Sequence, residues 1–332
     1  MIQAQNVQQQ PSQDVREQLY SQLEDYLGLS STKKKMDSSE KSGGTTLKRK
    51  SSEQSSSSSS KALSKNTLAI KVNGKTIKGS AQNIVGRVVE AEMGASFREE
   101  ALKAQAVAAY TYIRYNNQKG TIPSLPAKSS VSAKVEDAVE QVIGEALYYQ
   151  GEYINATYCA SNAGNSVDSE NVWGGYLPYL RSVESPGDTT LKAYGAVKRF
   201  SEEEIAQYIE ENLDVDPYDY SDPDEWFEDE EYINGRYVDS IRVCGKRLSG
   251  REVREELMEF ALPSAAFEVE YDDGEFIFTT YGYGHGVGMS QQGADYFAQR
   301  GWDYEEILTH YYTGITIQPW DRGAFAGVEK AI

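Results

Sequence analysis

Apolar and polar residues alternate over three stretches of the chain, and a turn-forming dipeptide interrupts each of them. The first stretch, residues 68–78, reads LAIKVNGKTIK. Alternation with a period of two indicates half-buried strands, and Asn-Gly or Asp-Gly between such strands is typical of a two-residue hairpin turn. The three predicted hairpins span residues 68–78, 146–158 and 267–281, and they turn at Asn73-Gly74, Gln150-Gly151 and Asp273-Gly274.

An alanine-rich segment has the three-to-four-residue spacing of a buried helix. Leu102, Ala106 and Ile113 share one face, and the faces beside it are mostly alanine. Ser96 offers an N-cap oxygen and Glu99 completes a capping box, so the pattern predicts a helix that starts near residue 97. Small side chains let such a helix pack closely, and it should fix the turn that precedes it.

Further helices are predicted between the hairpins. One starts at about Ser132 and ends before Gly144, and another is capped by Ser249 with Glu252 at its third position. No strand–helix–strand repeat is present, so the pattern predicts a mixed α+β fold built from hairpins and helices. Three other helices are predicted. One follows residue 201, a second spans Met289–Arg300, and a third starts at Asp303, with Glu306 completing its cap.

The chain divides into three predicted regions. Residues 1–28 are predicted to contain a short amphipathic helix, because apolar residues share a stripe over residues 13–27. This helix either packs on the body or binds a partner. Residues 29–66 are rich in Ser and Lys and have too little apolar surface to order themselves, which predicts a flexible linker. Residues 67–332 form the predicted folded body. Within it, residues 201–235 carry a charged helix and then a strongly acidic stretch, residues 222–235, which is interpreted as a solvated insertion with Trp226 and Phe227 as anchors.

Charge and composition exclude several classes of function. The net charge of −18 argues against binding to nucleic acid, whose phosphates attract basic surfaces. The mean hydropathy is −0.60, and no apolar stretch is long enough to cross a bilayer. The first residues have neither the basic nor the apolar region of a signal peptide. The two cysteines and two histidines have no metal-ligand spacing, so neither a metal nor another cofactor is expected.

Three sequence blocks carry a resemblance to a known family. Residues 92–112 read EMGASFREEALKAQAVAAYTY, residues 283–294 read YGHGVGMSQQGA, and residues 156–188 read ATYCASNAGNSVDSENVWGGYLPYLRSVESPGD. These blocks resemble the core motif, the GHGVGMSQ motif and a third block of the SpoIID/LytB family, and they follow the family's order. The resemblance covers roughly residues 83–316 and implies a single SpoIID-like domain.

The resemblance implies a function on the cell wall. The sporulation branch of the family implies a peptidoglycan lytic transglycosylase that cleaves glycan strands to 1,6-anhydro-muramic acid ends during engulfment. The other branch implies an amidase enhancer that binds cell-wall glycan without cleaving it. Both alternatives place the protein outside the cytoplasm, at the cell wall or membrane, with glycan strands as one partner and a cell-wall amidase as a second.

Glu92 is the candidate catalytic acid and base, because the family's catalytic glutamate immediately precedes the methionine of the motif. A carboxyl group beside a close-packed helix is partly desolvated, which raises its pKa toward the range of a proton donor. The alternative is a carboxylate that only stabilises the helix start. Glu90 is a weaker second candidate, since it should point to the opposite side of an extended segment.

The remaining candidate residues are expected to bind substrate. The family's glycine-rich motif places His285 where a ring nitrogen can bond a sugar hydroxyl or orient the acid, although a histidine bonded to backbone is an equal alternative. Ser290 and Gln291 either cap the next helix or bind acetamide groups. Tyr110 stands where the family has Arg, so it is expected to take over that residue's contact. Ser161 and Asn162 belong to the third block and complete the predicted set.

Cys159 is the most ambiguous residue of the third block. Cysteine stands where the family usually has histidine, in Tyr158-Cys-Ala-Ser-Asn-Ala-Gly164. A buried thiol that only packs is the preferred interpretation. A thiolate nucleophile paired with His285 is the alternative.

Overall fold

The structure is a computed structural model, and it describes residues 66–320. The predicted amphipathic helix of residues 1–28 and nearly all of the predicted linker, residues 29–66, lie outside the described residues. Helices alternate with small, mostly antiparallel sheets, which confirms the mixed α+β class. In chain order the helices are α1 (Ala81–Glu92), α2 (Glu99–Gln118), α3 (Ala133–Val142), α4 (Ser169–Trp173), α5 (Glu202–Leu213), α6 (Pro217–Tyr220), α7 (Gly250–Glu252), α8 (Gln291–Gln299) and α9 (Tyr304–Tyr311).

Most strands are short and pair in sheets of two or three. The sheets are β1-β2, β13-β3-β4, β10-β11-β6 and β7-β8-β9, and a two-residue parallel pair joins β12 to β5. The strands are β1 (Thr67–Val72), β2 (Lys75–Ser80), β3 (Glu145–Tyr149), β4 (Glu152–Tyr153), β5 (Tyr158–Cys159), β6 (Ala196–Ser201), β7 (Phe227–Ile233), β8 (Tyr237–Val243), β9 (Lys246–Leu248), β10 (Phe267–Asp272), β11 (Glu275–Thr280), β12 (Met289–Ser290) and β13 (Thr316–Pro319).

The hairpin signals were largely correct. β1 pairs with β2 around Asn73-Gly74, and β10 pairs with β11 around Asp273-Gly274, each with positive φ at both turn residues. The second hairpin is shorter than predicted, because β4 ends at Tyr153. The chain then leaves this sheet, and residues 158–159 pair in parallel with β12 instead. β12 lies far along the chain from residues 158–159, so the local turn signal at Gln150-Gly151 could not predict this pairing.

The alanine-rich helix, α2, lies at the centre of a first lobe. It packs against α1, α3, α8, α9 and β3, and every residue from Ala101 to Arg114 except Lys103 is buried. Alanine side chains allow these neighbours to approach on nearly every side. The core of this first lobe draws on residues 68–180 and on residues 281–315.

The start of α2 differs from the prediction. The helix begins at Glu99 with Arg98 as its N-cap, and the Arg98 side chain makes no capping hydrogen bond to the first turn. The backbone N–H of Arg98 instead donates to Asp295 Oδ1 at 2.7 Å, and the two side chains form an ion pair. The predicted capping box of Ser96 and Glu99 is therefore wrong, because a carboxylate from α8 takes its place.

A second lobe is inserted between the two parts of the first lobe. Its core lies between the sheets β10-β11-β6 and β7-β8-β9 and includes Trp226, Phe276 and Phe278. Trp226 and Phe227 are buried and anchor the acidic segment, as predicted. Residues 227–233, however, form β7, which pairs with β8, and the four consecutive acidic residues of this strand, 228–231, are partly or fully exposed.

Candidate functional site

Glu92 lies at the C-terminal end of α1, a helix that the sequence analysis did not predict. The Ser80 side chain caps the start of this helix, and the turn at Met93-Gly94 follows its end. Glu92 is partly exposed. Gln291 Nε2 donates to Glu92 Oε2 at 3.2 Å and so joins positions 199 residues apart in the chain. The first motif and the glycine-rich motif therefore meet at this carboxyl group.

Glu90 does not form a carboxyl pair with Glu92. Its Oε2 accepts hydrogen bonds from the backbone N–H and the hydroxyl of Ser132, at 3.0 and 2.6 Å. Ser132 is the N-cap residue of α3, where a carboxylate is favoured by the unpaired N–H groups of the first turn. Glu90 therefore has a structural role in joining α1 to α3. The expected extended segment is wrong, because both glutamates are on a helix.

The glycine loop, residues 282–288, packs its backbone directly against the third sequence block. A Cβ on Gly284 would lie 2.8 Å from Cys159 Cβ, and one on Gly282 would lie 2.7 Å from the backbone of Asn162. All four glycines of the loop have positive φ values, which favour glycine. The glycines thus allow a close backbone approach, and the second and third motifs form one structure.

Backbone pairing fixes the same two motifs on each other. Ser161 and Tyr283 exchange backbone hydrogen bonds of 3.1 and 2.9 Å, and the parallel pair of β12 with β5 lies directly beyond them. Ser161 is 3 % exposed and Asn162 is fully buried. Both residues therefore lie inside the structure that supports Gln291 rather than at its surface.

A buried carboxyl group, Asp188, lies at the centre of this support, and sequence reasoning missed it. Its Oδ2 accepts from the Asn162 backbone N–H at 2.9 Å and from the Ser185 hydroxyl at 2.7 Å. Its Oδ1 accepts from the Ser290 hydroxyl at 2.8 Å. Burial raises the pKa of Asp188 to about 7, although these hydrogen bonds act to lower it. Two of these hydrogen bonds lie within the third block, and the third ties that block to Ser290, the residue that precedes Gln291.

Ser290 and Gln291 have separate roles. Ser290 is the N-cap of α8, and its hydroxyl oxygen accepts from the Gly293 N–H at 2.9 Å. It is fully buried, so the helix-capping interpretation describes it. Gln291 starts the helix and is 3 % exposed, with its amide directed at Glu92. The glutamine thus fixes the orientation of the carboxyl group.

His285 lies in the glycine loop with one ring nitrogen bonded to backbone. The Val287 N–H donates to His285 Nδ1 at 3.1 Å, so a neutral ring assigned from this bond carries its proton on Nε2. The ring centroid lies 5.2 Å from that of Trp173. Because the imidazole is only partly buried, it presents a polar edge beside an aromatic ring at the surface of the loop.

Cys159 is buried, and its Sγ donates to Asn162 Oδ1 at 3.0 Å. Desolvation raises the pKa of this thiol to about 12. At neutral pH the group is therefore a thiol rather than a thiolate, and a thiolate is what nucleophilic catalysis requires. The packing interpretation describes Cys159.

Tyr110 lies in the interior of the first lobe. It is 1 % exposed, and its ring centroid is 4.9 Å from that of Trp320. Burial raises its pKa well above the ordinary value, with Tyr153 adding to the effect. A tyrosine in this position fills the core, so it does not occupy the surface position that the expected substrate contact requires.

Two further kinds of feature are absent from the residues that the structure describes. Within residues 66–320, no three His, Cys, Asp or Glu side chains are grouped so that they could hold a metal ion. The same part of the chain has no helix with the length and apolar character needed to cross a membrane.

The fold is of the mixed α+β class, and it brings the three sequence blocks together around one glutamate. Comparison with known proteins identifies the family to which such a chain belongs. A family model described as SpoIID, Stage II sporulation protein, matches residues 76–151. The chain is 33 % identical over 278 residues to Stage II sporulation protein D of Bacillus amyloliquefaciens, covering 74 % of this chain and 78 % of that protein. This chain belongs to the SpoIID family.

Two further relatives represent both branches of the resemblance. Stage II sporulation protein D of Bacillus subtilis (strain 168) is 32 % identical over 282 residues, which cover 74 % of this chain and 78 % of that protein. The amidase enhancer of the same organism is 27 % identical over 295 residues, covering 69 % of this chain but 39 % of that protein.

Proposed function

We propose that this protein cleaves the glycan strands of peptidoglycan as a lytic transglycosylase, with Glu92 as the catalytic acid and base. The observation that carries the proposal is the hydrogen bond between Gln291 and Glu92, which holds a partly exposed carboxyl group where the first motif and the glycine-rich motif meet. The relatives named Stage II sporulation protein D support a role in sporulation. Because peptidoglycan lies outside the cytoplasm, we place the activity there, at the cell wall or membrane.

One carboxyl group is sufficient for this reaction. Glu92 donates its proton to the glycosidic oxygen, and the acetamide of the muramic acid stabilises the positive charge that develops on the ring. The donated proton leaves with the departing sugar, and Glu92, now a carboxylate, removes the proton of the C6 hydroxyl as that oxygen attacks the anomeric carbon. The product ends in a 1,6-anhydro ring, and no water is consumed. Most glycoside hydrolases use a second carboxylate, and the neighbouring Glu90 is engaged with Ser132.

Two variants test Glu92 against a matched control. Glu92→Gln cannot donate a carboxylic proton, so cleavage of purified glycan strands should fall at least about a hundredfold, the low end of general acid contributions. Glu90→Gln keeps an oxygen that can accept from Ser132 and should stay within a few-fold of the wild-type rate. Both proteins should unfold at the wild-type temperature. An active Glu92→Gln protein would remove the centre of the proposal.

Mass spectrometry of the products distinguishes the reaction classes. Soluble fragments that end in 1,6-anhydro-muramic acid are the expected result. Reducing muramic ends would mean hydrolysis instead. The second candidate function, a glycan-binding enhancer of a cell-wall amidase, is favoured by the amidase enhancer relative. It predicts no products from this protein alone and faster cleavage by an added amidase.

A further inference from the structure

A cleft between the two lobes is separate from the Glu92 site. Its volume is about 560 Å³, within the range of small-molecule binding sites. Neither Glu92, Gln291 nor His285 is among its lining residues. The side chains that define it are Asn165 and Glu184 from the first lobe, Tyr232, Arg236 and Glu268 from the second, and Tyr194 from the segment that joins them.

Arg236 forms a fixed wall of this cleft. Its Nε donates to Tyr194 Oη at 3.0 Å, and its Nη1 donates to Glu268 at 2.7 Å. The guanidinium lies 4.1 Å from the centroid of the Tyr281 ring, which contacts Tyr194 edge-on. Glu268 also accepts from the Tyr281 hydroxyl at 3.0 Å. These contacts hold the arginine fork and two aromatic rings in one arrangement.

The two lobes are joined beside the cleft. The turn between β7 and β8 contains Asn234 and Gly235, both with positive φ. The Asn234 side chain accepts from Asn171 at 3.1 Å and also bonds to Asp168, so the turn of the second lobe is fastened to the first. A cleft whose walls are already connected requires less ordering when a ligand binds.

The chemistry of the lining suits a hydroxyl-rich ligand of low charge. Two carboxylates, of Glu184 and Glu268, and one guanidinium give the lining a formal charge of −1, which disfavours anions. Asn165 adds an amide, and the backbones of Asn165 and Glu184 pair with each other. Tyr232 is 44 % exposed, so much of its side chain is accessible to a ligand. Amides, carboxylates and an arginine fork bond hydroxyl and acetamide groups, while a tyrosine ring covers an apolar sugar face.

We propose that this cleft is a second glycan-binding site, which takes N-acetylated sugar rings of the strand remote from the bond that is cleaved. The inference rests on the proposed function, since it takes the same polymer as the ligand. Tyr232 stacks on one sugar ring, and Glu184 and Asn165 bond its polar substituents. The strand is thereby held by a site that takes no part in proton transfer.

The test measures binding without cleavage. The full chain carrying Glu92→Gln is titrated calorimetrically with the uncharged hexamer of N-acetylglucosamine. Adding Tyr232→Ala should weaken binding about fivefold to tenfold, as expected for the loss of one aromatic contact. Adding Tyr218→Ala, which removes a tyrosine that is 51 % exposed elsewhere on the second lobe, should leave affinity unchanged. Glu184→Gln is a milder change in the same cleft, and it should also weaken binding of the hexamer.

Three results would overturn the proposal. The first is equal affinity of the Tyr232→Ala and Tyr218→Ala proteins with unchanged unfolding temperatures. The second is no binding of the hexamer to the parent protein. The third is that the free stem pentapeptide binds tightly to the parent protein and that Tyr232→Ala abolishes this binding. The ligand of the cleft would then be a peptide rather than a glycan. None of these results depends on catalysis, so the cleavage assays on Glu92 and Glu90 test the proposed function separately.

Discussion

The buried carboxyl group of Asp188 should make the stability of this protein depend on pH. Burial raises its pKa from 3.8 to about 7. Between these values the folded protein holds a proton that the unfolded chain releases, so the free energy of unfolding should fall as the pH rises through this window. The sign is opposite to that of a carboxylate in an ion pair, whose pKa is lowered by folding.

The size of the effect follows from the two pKa values. Between pH 4.5 and pH 8, a group with these values should lower the free energy of unfolding by about 3 kcal/mol, at 1.36 kcal/mol for each unit. Asp188→Asn removes the titration and supplies an amide where the protonated acid has a hydroxyl. The Cys159 thiol next to it, with its pKa raised to about 12, stays neutral throughout this window. The same holds for the Tyr311 hydroxyl, whose pKa lies well above 10.

Urea unfolding at the two pH values measures this difference. The wild-type protein should lose about 3 kcal/mol more than Asp188→Asn between pH 4.5 and pH 8. Asp239→Asn, which changes an exposed carboxylate on β8, should retain the wild-type dependence and serves as the control. If the wild-type and Asp188→Asn proteins respond to pH in parallel, the carboxyl group does not titrate in this window and the reasoning is refuted.

Three other outcomes are expected. Gly286→Ala should destabilise the fold by several kcal/mol, because a Cβ there would overlap the Tyr237 ring. Gly301→Ala should cost only about 1 kcal/mol, because a Cβ there meets no atom within 4 Å. Thermal unfolding of the two variants measures this difference in stability. Cys159→Ala should keep full cleavage activity and lose on the order of 1 kcal/mol of stability; an inactive but folded variant would assign the thiol to the reaction. Limited proteolysis should cut within residues 29–66 and leave a stable body, and unfolding of that body after the cut would contradict the predicted boundary.

Local signals predicted the elements that depend on neighbouring residues. The turns at Asn73-Gly74 and Asp273-Gly274 and the capping boxes at Ser249 and Asp303 are each complete within a few residues. The sequence therefore contained everything needed to place them. Helix α1 also carries a local signal, the cap at Ser80, but its valines and central glycine have low helix propensity and obscured it.

The errors at the start of α2 and at Asp188 share a physical cause, which is that the deciding partner is distant in the chain. Asp295 replaces the expected cap of α2 from 197 residues away. Asp188 meets Ser290 across 102 residues, and neither residue type nor spacing indicates that contact. Motif resemblance brought Glu92 and Gln291 into consideration together, but only the folded chain gives the hydrogen bond between them.

The insertion of one lobe within the other has a consequence for synthesis. Helix α2 leaves the ribosome long before α8 and α9, which cover it in the finished first lobe. Until α8 and α9 have been made, the alanine face of α2 lacks those partners, while residues 196–280 can already assemble their own core. A nascent chain of which only the residues before Met289 have left the ribosome should therefore hold a folded second lobe beside an unfinished first lobe that exposes apolar surface to chaperones and proteases.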